Sequence, residues 1–289
     1  RIYWPELGQR QHAKIIARAM TDHRQDESFY NVQPAISPDG KFIAFFSDRG
    51  NREAIYLLDV NTEKIVTAAL EGGHVAAHES FNSFTSALSW SPDSRHLALV
   101  SKQAGSHVIN VLDTRRTKVI STIMVEGLDA MASPAISPTG DFMVVSGQQN
   151  GKMNLYKISL PSKIGAEDLA AQISLIPQAL TADDFTQEHP KISPSGKLVA
   201  FQSNQNADFN DKMAGQKSDI FVLDLATKSK RKITESRWSS ETPAWGENDS
   251  LLYFVSNRSG IDNIYAQEVY GDSLWAITNI LAGVATPTL

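Results

Sequence analysis

Short stretches that are apolar at nearly every position recur along the chain, as in Phe42-Ile43-Ala44-Phe45-Phe46, Leu97-Ala98-Leu99-Val100, Leu198-Val199-Ala200-Phe201 and Leu251-Leu252-Tyr253-Phe254-Val255. A strand with one wet face would alternate apolar with polar, so these runs predict strands covered on both faces. A following strand is predicted at Ile55-Tyr56-Leu57-Leu58-Asp59, Ile109-Asn110-Val111-Leu112-Asp113, Leu155-Tyr156-Lys157-Ile158, Ile220-Phe221-Val222-Leu223-Asp224 and Ile264-Tyr265. A weaker strand closes each unit and ends in Leu180-Thr181, Ile233-Thr234 or Ile277-Thr278. Ala19-Met20-Thr21 carries the same ending, so residues 15–21 are expected to form the outer strand of an earlier or a closing unit.

One phrase precedes the double-covered strand in every unit. It reads Pro34-Ala35-Ile36-Ser37-Pro38-Asp39-Gly40, Leu88-Ser89-Trp90-Ser91-Pro92-Asp93-Ser94, Pro134-Ala135-Ile136-Ser137-Pro138-Thr139-Gly140 and Pro190-Lys191-Ile192-Ser193-Pro194-Ser195-Gly196. Pro243-Ala244-Trp245-Gly246-Glu247-Asn248-Asp249 is a decayed copy, and Pro287-Thr288-Leu289 matches the start of another. Proline presets φ, aspartate bonds its own backbone and glycine accepts positive φ, so the phrase is a tight turn between two strands. A period of about 50 residues suits a four-stranded unit, repeated.

These residues resemble the TolB-like β-propellers, whose repeats run apolar strand, Ser-Pro-Asp-Gly, apolar strand, Ser-x-Arg, Ile-Tyr-x-x-Asp and a final Leu-Thr. Ser37 to Asp59 carries nearly all of this, including Ser47-Asp48-Arg49, and the fifth unit keeps Ser256-Asn257-Arg258 and Ile264-Tyr265. The resemblance implies an all-β fold of four-stranded antiparallel blades, five recognisable and a sixth partial, from a ring of six or more blades. Residues 15–289 would be the propeller, with blades starting near 34, 87, 134, 190 and 243 and a truncated one at 287; residues 1–14 would be a leader or linker. Tyr3-Trp4-Pro5, Ala17 to His23 and Asn31-Val32-Gln33-Pro34 are similar to the junction where a peptidase MA-like domain precedes such a propeller in exported bacterial proteins. That likeness implies a periplasmic or extracellular location, and a start at Arg1 reads as that of a processed or excised piece.

In such a blade, the residues just before the first strand stand near the mouth of the central channel: Asn31 and Gln33, Thr85 and Ser86, Ser133, Glu188 and His189, Glu241 and Thr242. Most are polar. Gln33, Ser86, Ser133, Glu188, His189 and Glu241 are therefore the candidate partner-binding residues, for a protein or peptide. Long connections at 72–84 and 202–217 fall on the same face, whereas an insertion at 160–176, with a helix expected over 166–173, falls on the opposite one.

Other constellations are weaker. His74 and His78 have metal-helix spacing but no glutamate beside the first histidine, and Asp208, Asn210 and Asp211 are hard oxygen ligands in a polar loop that suits such residues anyway. No cofactor is expected, and calcium is the metal that the loop oxygens would suit. Trp90 and Trp245, at matching repeat positions, are expected to pack between blades, and Lys228, Lys230, Arg231 and Lys232 to form a solvated turn.

Composition narrows the reading. The 289 residues hold no cysteine, which removes disulfides, thiolate metal sites and a cysteine nucleophile. A net charge of −5 supplies no broad positive field for nucleic acid, and no apolar run approaches a membrane span. Neither Gly-x-Ser-x-Gly nor a phosphate loop is present. The expected role is a non-catalytic binding module. Two alternatives are a propeller that gates a peptidase domain outside this chain, and a calcium-dependent lactonase-like hydrolase using Glu188 and Glu241.

Overall fold

The computed structural model describes residues 20, 21, 27–71, 80–166, 169–205, 217–235, 237–280 and 283–288. They form five antiparallel four-stranded sheets, one of them extended by a parallel edge strand. The first sheet contains β1 (Asn31–Ile36), β2 (Phe42–Ser47), β3 (Ala54–Asp59) and β4 (Lys64–Glu71). The second contains β5 (Ser89–Trp90), β6 (His96–Gln103), β7 (Ser106–Asp113) and β8 (Lys118–Val125), with β12 (Gln172–Leu175) added beside β8. The third is β9 (Ala130–Ile136), β10 (Phe142–Gln149), β11 (Lys152–Ser159) and β13 (Gln178–Ala179). The fourth is β14 (Gln187–Ile192), β15 (Leu198–Ser203), β16 (Asp219–Asp224) and β17 (Lys230–Lys232), and the fifth is β18 (Ser240–Trp245), β19 (Leu251–Ser256), β20 (Asn263–Glu268) and β21 (Leu274–Ala276).

The apolar mass lies between sheets, and this explains runs that are apolar at every position. On β6, Leu97 and Leu99 join the cluster shared with the first sheet, while Ala98 and Val100 join the one shared with the third. On β15, Val199 and Phe201 face the third sheet and Leu198 and Ala200 face the fifth. Each large side chain so buried contributes about 2 kcal/mol, and each blade has both faces covered only when both neighbours are present.

Local chemistry ends the strands. A threonine follows the outer strand of the third, fourth and fifth sheets: the Oγ1 of Thr181, Thr234 and Thr278 accepts the N–H of Leu155, Ile220 and Ile264, at 2.9, 2.9 and 2.8 Å. After the second strand, Asp48, Asn204 and Asn257 accept the N–H of Phe29, Thr186 and Ser239, pinning the segment that leads into β1, β14 and β18. The Trp90 and Trp245 indoles donate to the Ala35 and Lys191 carbonyls of the preceding blade, at 2.9 and 2.8 Å, so they do pack between blades.

Two expectations are corrected. Among the described residues of 166–173 no helix is present: Gln172–Leu175 is a strand paired in parallel with β8, because Ile173 and Leu175 alternate with Gln172 and Ser174 and pack on the second and third sheets' core. In the basic cluster only Lys228 belongs to a turn. Lys230, Arg231 and Lys232 form the outer strand, where Lys230 pairs with Asp183 at 2.9 Å and Lys232 with Asp219 at 3.0 Å.

The first strands pack side by side in the order β1, β5, β9, β14, β18 around the axis. No sixth sheet is present among the described residues. Pro287 and Thr288 nevertheless lie against β1: Thr288 Oγ1 accepts the Ile36 N–H at 3.1 Å, as Ser89 Oγ accepts the Ile136 N–H of the next blade at 3.0 Å. The strand expected over 15–21 falls largely outside the described residues.

Candidate functional site

Near its start, each complete first strand departs from a regular ladder. Pairing with the second strand shifts register between Val32 and Ala35, Ala132 and Ala135, Glu188 and Lys191, and Glu241 and Ala244. At each bulge the residue before the proline has positive φ: Gln33 52°, Ser133 50°, His189 51° and Thr242 49°, with Thr286 repeating it at 47° before Pro287. A residue preceding proline ordinarily stays extended, and a left-handed non-glycine residue costs about 1 kcal/mol or more. Strain repeated at five equivalent places is held there by the ring. The second blade, with Leu88 in place of proline, lacks the bulge and places its positive φ at Asn82.

These bulges face the channel mouth, and their side chains link one blade to the next. Gln33 is buried and its Nε2 donates to the Phe84 carbonyl at 3.2 Å. Ser86 Oγ accepts the Ser133 N–H at 3.0 Å, while Ser133 Oγ accepts the Ala87 N–H at 3.2 Å and lies 3.4 Å from His189 Nδ1. Gln202 joins the fourth and fifth blades, its Nε2 donating to Glu188 at 3.2 Å and its Oε1 accepting the Thr242 N–H at 3.0 Å. Glu241 stands apart; it is exposed and, among the described residues, accepts from Ser239 Oγ at 2.7 Å. The structure thus draws Gln33, Ser86, Ser133 and His189 into contacts between neighbouring blades, holds Glu188 within its own blade through Gln202, and leaves Glu241 exposed.

Electrostatics set His189 apart. Burial, and secondarily the nearby Lys191 ammonium, lowers its pKa to about 4, so the imidazole is neutral at physiological pH. Burial also lowers the pKa of Lys191.

Several mouth residues escaped the sequence reading. Phe29 is 91% exposed and Phe84 65%, and Tyr30 packs its ring 4.8 Å from that of Phe84. Asp48 Oδ1 holds the N–H of Phe29 and Tyr30 at 2.8 and 3.2 Å, so the aromatic shelf is fixed by the Ser47-Asp48-Arg49 motif. On the same face, the buried oxygens Asn31 Oδ1, Gln187 Oε1, Gln205 Oε1 and Thr242 Oγ1 have no hydrogen-bond partner among the described residues. Such groups are few in folded proteins, and ordered water, an ion or a ligand can satisfy them.

Among the described residues no group of three or more His, Cys, Asp or Glu side chains is arranged to hold a metal ion. Glu188 and Glu241 are engaged by different partners rather than by a common centre. His74 and His78, and Asp208, Asn210 and Asp211, lie outside the described residues, as do parts of the two long loops on this face. Among the described residues no helix is long and apolar enough to cross a membrane.

No family model matches the chain. It is 23% identical over 241 residues to the Tol-Pal system protein TolB of Francisella tularensis subsp. mediasiatica (strain FSC147), an alignment covering 83% of this chain and 49% of that protein. The chain therefore spans about half the length of the curated relatives it matches. In fold it is similar to the putative TolB from Agrobacterium tumefaciens, with a TM-score of 0.62 and 17% identity over 86% of this chain and 80% of that one. A puromycin-hydrolyzing peptidase from Mycobacterium tuberculosis shares the fold over 86% of this chain and 39% of its own, with a TM-score of 0.55 and 18% identity.

Proposed function

The chain is a TolB-like β-propeller, and from that premise we propose that it is a non-catalytic binding module of an exported bacterial protein, taking a protein or peptide at its channel mouth. The observation that carries this reading is the concentration of orphaned buried oxygens on that face, at Asn31, Gln187, Gln205 and Thr242. A peptide backbone supplies the N–H donors those oxygens lack. The shelf of Phe29, Tyr30 and Phe84 beside them offers apolar area for one side chain. A relative that works within a Tol-Pal system supports protein partners in general.

The fold shared with the puromycin-hydrolyzing peptidase favours a second reading, in which the same mouth admits substrates to a catalytic domain outside this chain. Both readings need the mouth to bind peptides. Panning a peptide display library against the chain, followed by calorimetry, tests this. Enriched peptides should compete for one site, survive intact, and lose about tenfold in affinity on Phe84→Ala, while Lys41→Ala on the opposite face changes nothing. Binders indifferent to both Phe84→Ala and Phe29→Ala, or none at all, would overturn the proposal.

A further inference from the structure

The residue after the repeat proline (Leu88 in the second blade) reads Ala35, Ser89, Ala135, Lys191, Ala244 and Thr288 around the ring. The residue that follows it has its N–H on the free edge of the first strand. Ser37, Ser91, Ser137, Ser193 and Gly246 each donate to their partner strand, so the ladder's alternation turns the N–H of Ile36, Trp90, Ile136, Ile192 and Trp245 away from it, toward the axis. Two joints between neighbouring blades close this edge with a hydroxyl, Thr288 for Ile36 and Ser89 for Ile136. At the joint between the fourth and fifth blades the equivalent side chain is Lys191, and an ammonium donates but cannot accept. The joint is nonetheless tightly made, since the Trp245 indole donates to the Lys191 carbonyl at 2.8 Å.

Two donors therefore face this joint, where two of the other joints pair the N–H with a hydroxyl and two set an alanine beside it. Lys191 has no ion-pair or side-chain hydrogen-bond partner among the described residues, and Glu188, a neighbour along the same strand, is already engaged by Gln202. His189, two residues away, lies close enough for the ammonium charge to depress its pKa. We propose that the axial space between Lys191 and the Trp245 N–H receives a carboxylate of the docked peptide, from an acidic side chain or from the chain terminus. This rests on the peptide-binding reading above and specifies the chemistry of its ligand. A carboxylate accepts from both donors at once and neutralises a half-buried cation whose charge burial disfavours.

Glutarate and acetate, titrated at constant ionic strength against chloride, are the direct probes, read by thermal unfolding and by the Trp245 backbone amide in NMR spectra. The wild-type chain should be stabilised and that amide shifted. In Lys191→Ala, which installs the residue of three other blades, affinity should fall about tenfold or more; Lys191→Gln is the second variant should the first fail to fold. Equal responses in wild type and variants would overturn the proposal. Selected peptides then separate the sources: an Asp→Asn or Glu→Gln exchange loses affinity if a side chain enters, C-terminal amidation if the terminus does. Peptides that bind but tolerate both changes sink the carboxylate and spare the mouth. Glutarate binding with no peptide binding would leave the carboxylate site standing and sink the reading of the mouth.

Discussion

The two faces of the ring share one backbone pattern and treat their polar groups in opposite ways. On the face of the Ser-Pro corners every corner finds its acceptor by some route. Ser37 Oγ donates to Asp39 at 2.7 Å and accepts the Phe42 N–H at 3.0 Å. Where Thr139 replaces the aspartate, Ser137 reaches Asp141 at 3.0 Å, and where Ser195 replaces it, Ser193 reaches Asp249 of the next blade at 3.1 Å. Corner glycines fit against the preceding proline, with a Cβ on Gly140 or Gly196 falling 3.7 or 3.6 Å from Pro92 or Pro138. On the mouth face the bulge recurs just as regularly, yet its side chains are Gln33, Ser133, His189 and Thr242, and buried oxygens have no partner among the described residues. One face closes the blade, and the other carries the groups on which the proposed binding rests.

The largest break of that contrast should come from the corner face. Ser91 is fully buried; its hydroxyl accepts the His96 N–H at 3.0 Å and hydrogen-bonds Asp93. Ser91→Ala strands a buried donor and a carboxylate that also holds His96, so it should cost about 2–3 kcal/mol and lower Tm by about 5 °C. Urea unfolding measures this directly. A loss under about 0.5 kcal/mol would mean the corners are incidental to stability.

A middle-sized effect is expected on the mouth face, through protonation. His189 has its pKa lowered to about 4 in the folded chain against 6.5 in the unfolded one, so below 6.5 the unfolded chain takes up a proton that the folded chain refuses. The stability this confers is whole above about pH 6.5 and is lost as pH falls toward 4, amounting to about 1–2 kcal/mol after discounting for a half-buried ring. His189→Asn should flatten the dependence of Tm on pH across that window. An unchanged slope would assign the loss to other groups.

The contrast also explains what could be read in advance. The Ser-Pro corner is a local device, its serine hydroxyl accepting the N–H five residues on in all four copies, so those copies placed the blades. The position of the bulges was legible, since counting back from each proline reached Gln33, Ser133 and His189, yet nothing local announced their left-handed φ, because a following proline argues for extended backbone. Gln202, Phe84 and Lys191 acquire meaning only from a neighbouring blade. The Gln172–Leu175 strand was missed for the same reason, because its partner lies some fifty residues earlier.

The smallest effect discriminates most sharply between the faces. Thr242 sits at the fifth bulge with its backbone N–H held by Gln202 at 3.0 Å, while its buried hydroxyl oxygen has no partner among the described residues. Thr242→Val keeps the shape, the β-branch and the held N–H, and removes only the orphan. If that oxygen exists for the fold, its loss resembles that of a corner serine. If it awaits an external donor, stability should stay within about 0.5 kcal/mol of wild type, or rise, because an unsatisfied polar atom has been removed. Peptide affinity should then fall about fivefold, the worth of one neutral hydrogen bond. A variant that unfolds as readily as Ser91→Ala would place Thr242 among the groups that close the blade, and the distinction between the two faces would fail at this bulge.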